Sequence, residues 1–207
     1  MQTKTLLRAQ AQSQVRQAIL EAARALISTA GYAGLSMRRL AQDIGYTPKT
    51  IYRYFTDKDD LLSELIEADM ACLVAHLEAV AAAQPHPASR LDAVALAYVA
   101  YGIEHPHAYQ VMFLMREHPL SREAAVQHHH MQGRRLQELL LRVVRESGRV
   151  PASLDRPMVV QALRCALHGV VALRLVRPHS DWTAWETLVL HLVAGVVGEG
   201  AVQDVST

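Results

Sequence analysis

The stretch from Ser36 to Lys58, SMRRLAQDIGYTPKTIYRYFTDK, limits the fold more than any other part of the chain. Two short segments with apolar residues at helical spacing, 37–44 and 48–55, flank the turn Gly45-Tyr46-Thr47. Gly45 is the residue type that takes the positive φ closing a first helix. Thr47 is a good N-cap, and Pro48 then falls at the first helical position, where its missing N–H costs nothing. Two helices joined by so tight a turn form a helix-turn-helix, whose second helix is the one that enters a DNA major groove. On that second helix Ile51 and Phe55 are four residues apart and face inward. Lys49, Thr50, Tyr52, Arg53 and Tyr54 cover the remaining surface, a basic, hydroxyl-rich and aromatic set suited to phosphate oxygens and base edges.

The residues from Gly45 to Leu62 resemble the signature of TetR-family transcriptional regulators. The specific part is Thr50-Ile51-Tyr52, Tyr54-Phe55, Lys58 and Leu61-Leu62 at a fixed distance from Gly45. The likeness runs back through Ser36 and Ala30-Gly31-Tyr32 to about Val15, roughly the first third of the chain. The resemblance implies DNA contacts from Thr47, Lys49, Thr50, Tyr52, Tyr54 and Lys58. Of these, Thr47, Tyr54 and Lys58 match phosphate anchors, and Lys49, Thr50 and Tyr52 lie closer to base edges. Arg38 matches a position that reaches guanine, where a bidentate contact to O6 and N7 is chemically suitable. Arg39 has the same chemistry, and only the family register favours Arg38. Lys58 falls in the first turn of the next helix, where free backbone N–H groups also favour a phosphate. Lys49 departs from the small residue often found there and implies altered base preference or an added phosphate contact. Tyr52 and Tyr54 also suit half-buried helix packing, and Arg53 reads equally as a solvated charge or a contact.

Net charge is only +1, so the chain is not a generally basic nucleic-acid binder. The distribution is uneven: residues 1–56 carry eight Lys and Arg against Glu21 and Asp43, leaving the remainder net acidic. A basic end on an acidic remainder is the footprint of a DNA-binding domain attached to a different kind of domain. The expected division is 1–56, helix-turn-helix domain, and 57–207, effector-binding and dimerisation domain. Hydrophobic residues make up 51% of the chain and aromatics only 5%, with Ala, Leu and Val dominant, which favours helix over sheet. Cys72 and Cys165 have no metal-like spacing and read as two buried, reduced thiols. Residues 1–17 lack the apolar core of a signal peptide, and the most apolar stretch, 188–197, is too short to span a bilayer. The expectation is a cytoplasmic protein with no membrane association.

The fold expected is all-α with about nine helices. Residues 1–10 read as a loose arm, either a plain tail or one whose Lys4 and Arg8 touch phosphates. Helices follow over about 11–29, ended by Gly31, then from Ser36 as cap, then the reader, then from Asp57 with Asp60 as capping partner to about 83. Later helices are expected over about 89–104, 106–116, 121–147, 156–175 (capped by Asp155) and 181–197, with a low-complexity tail from about 198. The run from Tyr98 to Phe113 resembles the regulatory domain of a TetR subgroup named for a Trp-His-Gly triplet, which here reads Leu167-His168-Gly169. Tyr98, Tyr101, Tyr109, Met112, Phe113 and Met115 line either a ligand pocket or ordinary core, and His168 is either a core histidine or a polar anchor in such a pocket.

The last two helices are apolar over much of their circumference, so each must bury a second face. That face meets either deeper core or a partner subunit; the family resemblance implies the latter, a homodimer interface pairing two helices from each chain, with Leu163, Leu167, Val170, Val171, Leu188, Leu192 and Val196 as candidates. His128-His129-His130 does not converge on one ion, because successive helical residues point about 100° apart. No catalytic residue and no cofactor is assigned. The function implied is a homodimeric, ligand-responsive regulator, in the first instance a repressor released from a palindromic operator in double-stranded DNA by a small, apolar effector. The alternatives are a helical enzyme built on the histidines, for which no nucleophile–base pair or spaced ligand set is present, and a constitutive DNA-binding scaffold with no effector.

Overall fold

The structure, a computed structural model, describes residues 2–114, 130–182 and 184–198. Among the described residues there are nine α-helices, one π-helical segment and no strand. They are α1 Gln2–Gly34, α2 Met37–Asp43, α3 Pro48–Ile51, α4 Lys58–Ala83, α5 Pro87–Glu104, α6 Pro106–Tyr109, α7 His130–Glu146, α8 Arg156–Val176 and α9 Trp185–Val197. The all-α expectation holds. The described residues form two compact units, 2–69 with 107–114, and 70–106 with those from 130 onward.

In the first unit α1 is longer than its apolar pattern suggests. Residues from Gln2 are helical, so the expected loose arm is instead the first turns of α1. Nothing in 2–10 breaks a helix, and the propagating α1 costs little to extend through Gln, Thr, Leu and Ala. The side chains of Lys4 and Arg8 lie outside the described residues. Gly31 interrupts the helix with φ 68°, leaving a short helical turn before Leu35. Ser36 Oγ accepts from Arg39 N at 3.2 Å and opens α2. Gly45, at φ 70°, turns the chain, and Thr47 Oγ1 accepts from Thr50 N at 3.2 Å to open α3 with Pro48 in its first turn. Regular α3 is only four residues long. Helical turns nevertheless continue, with Tyr54 N donating to Ile51 O at 2.9 Å and Phe55 N to Ile51 O at 3.1 Å. Asp57 Oδ1 accepts from Asp60 N at 2.8 Å and starts α4; Asp60 Oδ2 in return accepts from Thr56 N, also at 2.8 Å, one residue before the cap. Beneath this surface lie Ile19, Ala23, Leu40, Ala41, Ile51, Leu61, Leu62 and Leu65, all fully buried, with Phe55 almost so.

Three later expectations change. The sixth expected helix, 106–116, is α-helical only to Tyr109 and passes into the π-helical Gln110–Leu114. The wider turn inserts a residue and re-registers the side chains after it. Of the expected helix 121–147, the part from His130 to Glu146 is described and helical. The last helix begins at Trp185 rather than 181. The preceding loop is held back by Trp182, whose Nε1 donates to Arg177 O at 2.9 Å while Arg174 sits 5.8 Å over its ring.

In the second unit α8 packs against α5, α7 and α9, and α5 also packs against α7 and α9. Arg90 bonds Glu146 at 2.6 Å, and Arg149 bonds Asp92 at 2.6 Å, tying α5 to the end of α7 and the loop after it. The inward face of α8 is Val159, Val160, Leu163, Leu167, Val170 and Val171. α8 is long and apolar enough to cross a bilayer by length and composition alone, as core helices also are; a third of its most apolar window is buried in the fold. The two cysteines are free and exposed, against the expectation of buried thiols. On α4 the inward positions next to Cys72 are taken by Leu73 and Val74, and on α8 Cys165 falls on the side opposite Leu163 and Leu167.

Candidate nucleic-acid interface

The surface of the α2–turn–α3 segment is built from the inside outward. Ile51 and Phe55 anchor its underside, each burial contributing about 1.5–3 kcal/mol. Arg16, from α1, lies 4.8 Å over the Phe55 ring, donates to Tyr54 O at 3.3 Å and forms a two-pronged pair with Glu64 of α4. The bond to Glu64 holds the Arg16 proton even more firmly than usual. Eight residues on, Arg24 makes a second two-pronged pair, with the buried Asp69.

With the underside fixed, the outward residues are Arg38, Arg39, Thr47, Lys49, Tyr52 and Arg53, all exposed, Tyr52 by 54%. Thr50 and Tyr54 are half-buried. Among the described residues Arg38, Arg39, Lys49 and Arg53 form no ion pair. Thr47 Oγ1 accepts from Thr50 N and lies 3.0 Å from Thr50 Oγ1, so the first hydroxyl of the reader is occupied in capping. Lys58 is placed differently: its Nζ donates to Tyr32 O at 2.6 Å and lies 3.6 Å from the Tyr32 ring centre. Partial burial lowers its pKa. The Tyr32 hydroxyl donates to Asp59 Oδ1 at 2.5 Å, and burial together with that bond pushes its pKa up.

These braces were not anticipated from the sequence. Asp69, an acid inside the apolar stripe of α4, is the one signal of them; Glu64 lies at the edge of that stripe and gives none.

The pocket candidates are distributed over both units. Tyr98, Tyr101 and His168 belong to the second, and Tyr109, Met112 and Phe113 to the first. Tyr98, Tyr101, Tyr109 and Met112 are buried; Phe113 and His168 are half-buried. Tyr109 and Phe113 stack at 4.8 Å, and Tyr101 contacts His105 at 4.4 Å and His76 at 5.8 Å between ring centres. Burial, then the nearby Arg164, lowers the His168 pKa below that of an ordinary imidazole. Met115, His128 and His129 lie outside the described residues. Among the described residues no cluster of three His, Cys, Asp or Glu is placed to hold a metal. Of the dimer candidates, Leu163, Leu167, Val170 and Val171 are buried in their own chain, while Leu188, Leu192 and Val196 are half-buried.

An all-helical chain presenting an unpaired cationic face on a helix-turn-helix belongs to the class of DNA-binding regulators. The comparisons with known proteins narrow this. The family model for "Bacterial regulatory proteins, tetR family" matches residues 19–65, and that for "Tetracyclin repressor-like, C-terminal domain" matches 91–194, half of the chain. The chain belongs to the TetR family of bacterial regulatory proteins, which are transcriptional regulators with a helix-turn-helix DNA-binding domain and not enzymes. An HTH-type transcriptional regulator of Staphylococcus aureus (strain USA300) is 35% identical over 65 residues, 31% of this chain and 35% of that one. The chain thus spans about a third of the length of the curated relatives it matches. The TetR family regulator PfmR from Thermus thermophilus superposes with a TM-score of 0.68 at 24% identity, covering 86% of this chain and 96% of that one. The regulator FadR from Bacillus subtilis, solved in complex with stearoyl-CoA, superposes with a TM-score of 0.74 at 19% identity, covering 87% and 97%. Both likenesses concern the fold.

Proposed function

We propose that the protein is a cytoplasmic, homodimeric repressor that leaves a palindromic operator when a small, largely apolar molecule binds its second unit. The observation that carries the DNA-binding part is the set of four exposed cations around the helix-turn-helix, Arg38, Arg39, Lys49 and Arg53, none of them neutralised by an acid among the described residues. In this reading Thr47, Tyr54 and Lys58 hold phosphates, Lys49, Thr50 and Tyr52 approach base edges, and Arg38 reads a guanine. Lys58 would have to exchange its bond to the Tyr32 carbonyl, and its contact with the Tyr32 ring, for a phosphate oxygen.

The homodimer is supported by a second apolar face. On α8, Met158, Ala162, Cys165, Gly169, Leu173 and Val176 recur at intervals of three and four and so share one side. Met158, Leu173 and Val176 are 66%, 52% and 72% exposed. A methyl group added at Gly169 or at Gly195 of α9 would meet no atom within 4 Å beyond its own helix backbone and chain neighbours, among the described residues. Large residues at the ends and small ones in the middle let a second α8 approach closely. The pairing surface proposed is therefore this outer face, joined by the half-buried Leu188, Leu192 and Val196 of α9, while Leu163, Leu167, Val170 and Val171 fill the chain's own core.

An apolar effector is supported by the aromatic residues Tyr98 and Tyr101 in the second unit and by the acyl-CoA bound in the FadR structure. A coupling of about 1–3 kcal/mol would change operator affinity about 5- to 150-fold. The test is selection of duplexes from a random pool with the purified protein, followed by sedimentation of free and DNA-bound material. Enrichment of an inverted repeat by a dimer is expected, and Leu173→Glu is expected to yield monomers that no longer select it. A monomeric wild type at micromolar concentration, or a pool without a repeat, would sink the proposal.

A further inference from the structure

A groove of about 320 Å³ lies between α1 and the end of the reader, lined by Gln12, Ser13, Arg16, Arg53 and Tyr54. We infer that this groove seats a backbone phosphate of the same duplex, with Arg53, Ser13 and Gln12 as its donors, so that α1 joins the DNA interface. The inference rests on the DNA-binding reading above and extends it to residues that the helix-turn-helix motif does not include.

Arg53 is exposed and forms no ion pair among the described residues. Gln12 and Ser13, both exposed, line the same groove from α1 and bring an amide and a hydroxyl to its wall. Arg, Gln, Ser and Tyr are residue types that contact phosphate oxygens. The fifth lining residue is fixed rather than free. Arg16 is held by Glu64, by the Tyr54 carbonyl and by the Phe55 ring, so its charge is already matched and it serves as a wall. Among the described residues no acid lines the groove. One unmatched guanidinium and two neutral donors make a weak site for a free anion. A duplex already held by the reader supplies its phosphates at high effective concentration, and a weak site then contributes.

The test uses the full chain and an operator duplex, titrated by fluorescence anisotropy at KCl concentrations from about 50 to about 300 mM. Arg53→Gln is expected to weaken operator and non-operator DNA alike and to reduce the salt slope by about one phosphate's worth. Ser13→Glu, which places a negative charge in the groove, is expected to weaken both by at least tenfold, with thermal melting unchanged in either variant. Inorganic phosphate at constant ionic strength is expected to displace no more DNA than chloride does. An Arg53→Gln slope equal to that of a wild type that does bind DNA would overturn the seat alone. So would phosphate-specific displacement that Arg53→Gln abolishes, since the groove would then be a free-anion site. A wild type that binds no duplex at all would overturn the reading on which the seat rests.

Discussion

Helix α1 and the α2–turn–α3 segment carry the same kind of charge and put it to opposite uses. Arg16 and Arg24 on α1 point at α4 and are matched there by Glu64 and Asp69. Arg38, Arg39, Lys49 and Arg53 are exposed and unmatched among the described residues. The excess of basic residues in 1–56 therefore overstates the field available to a polyanion, because the next residues, 57–69, bring six acids and one lysine into the same compact unit. On the proposed DNA-binding reading, what marks the interface is which cations remain unpaired among the described residues. A buried or braced pair fixes geometry, whereas an unmatched surface cation is free to replace the counterions of a phosphate.

The largest effect expected separates the two groups by stability. Arg24→Met leaves the Asp69 carboxylate, only 4% exposed, without its partner inside the first unit. A loss of about 3 kcal/mol is expected, seen as a lower midpoint in urea, because an unpaired buried charge is costly. The double variant with Asp69→Asn should recover much of it. If Arg24→Met melts like the wild type, α1 and α4 are not held together by this pair and the comparison fails at its structural end. At the functional end, Arg38→Ala should leave the midpoint unchanged and cost about 1–3 kcal/mol of operator binding, concentrated at one base position. Uniform weakening of every sequence would instead make Arg38 a phosphate contact. Lys58→Ala sharpens the boundary between the groups. Its ammonium is bonded to a carbonyl and a ring but to no acid among the described residues, so a small drop in midpoint and a flatter salt slope for all sequences are both expected.

Local chemistry was legible in the sequence wherever one residue type decides a backbone angle or a cap. Gly31 and Gly45 take positive φ, and Ser36, Thr47, Asp57 and Asp155 accept the first-turn N–H bonds of their helices, as their positions predict. Ile51 and Phe55 face inward as their four-residue spacing requires. Harder to see was anything decided by what packs opposite. A helix apolar on two sides does not declare which side is its own core; on α8, Leu163 and Leu167 go inward and Cys165 stays outside, although all three suit either face. The π-helical turn at Gln110–Leu114 and the delayed start of α9 likewise depend on partners distant in sequence or on a loop bond from Trp182. The pairing of Arg16 and Arg24 belongs to the same class: their count was plain, but their loss to the α4 acids required the fold.

Arg16 is the residue that tests the comparison most finely, because it belongs to the matched group yet touches the end of the reader. Its pair with Glu64 is partly exposed, 42% on one side chain and 30% on the other, so solvent screens it. Arg16→Met is therefore expected to cost only about 1 kcal/mol of stability, the methionine retaining contact with Phe55. Operator affinity should fall a few fold, since the Tyr54 carbonyl loses its 3.3 Å donor and the last turn of the reader is held less firmly. The salt slope should stay at the wild-type value, because a guanidinium already neutralised by Glu64 releases no counterion from DNA. Anisotropy titrations of Arg16→Met against Glu64→Gln decide the matter. Removing Glu64 frees the Arg16 charge and should steepen the slope slightly, the reverse of what removing a phosphate contact does. A slope that falls by about one in Arg16→Met would move Arg16 into the unmatched group, and pairing would no longer distinguish the cations that build this domain from those that touch its ligand.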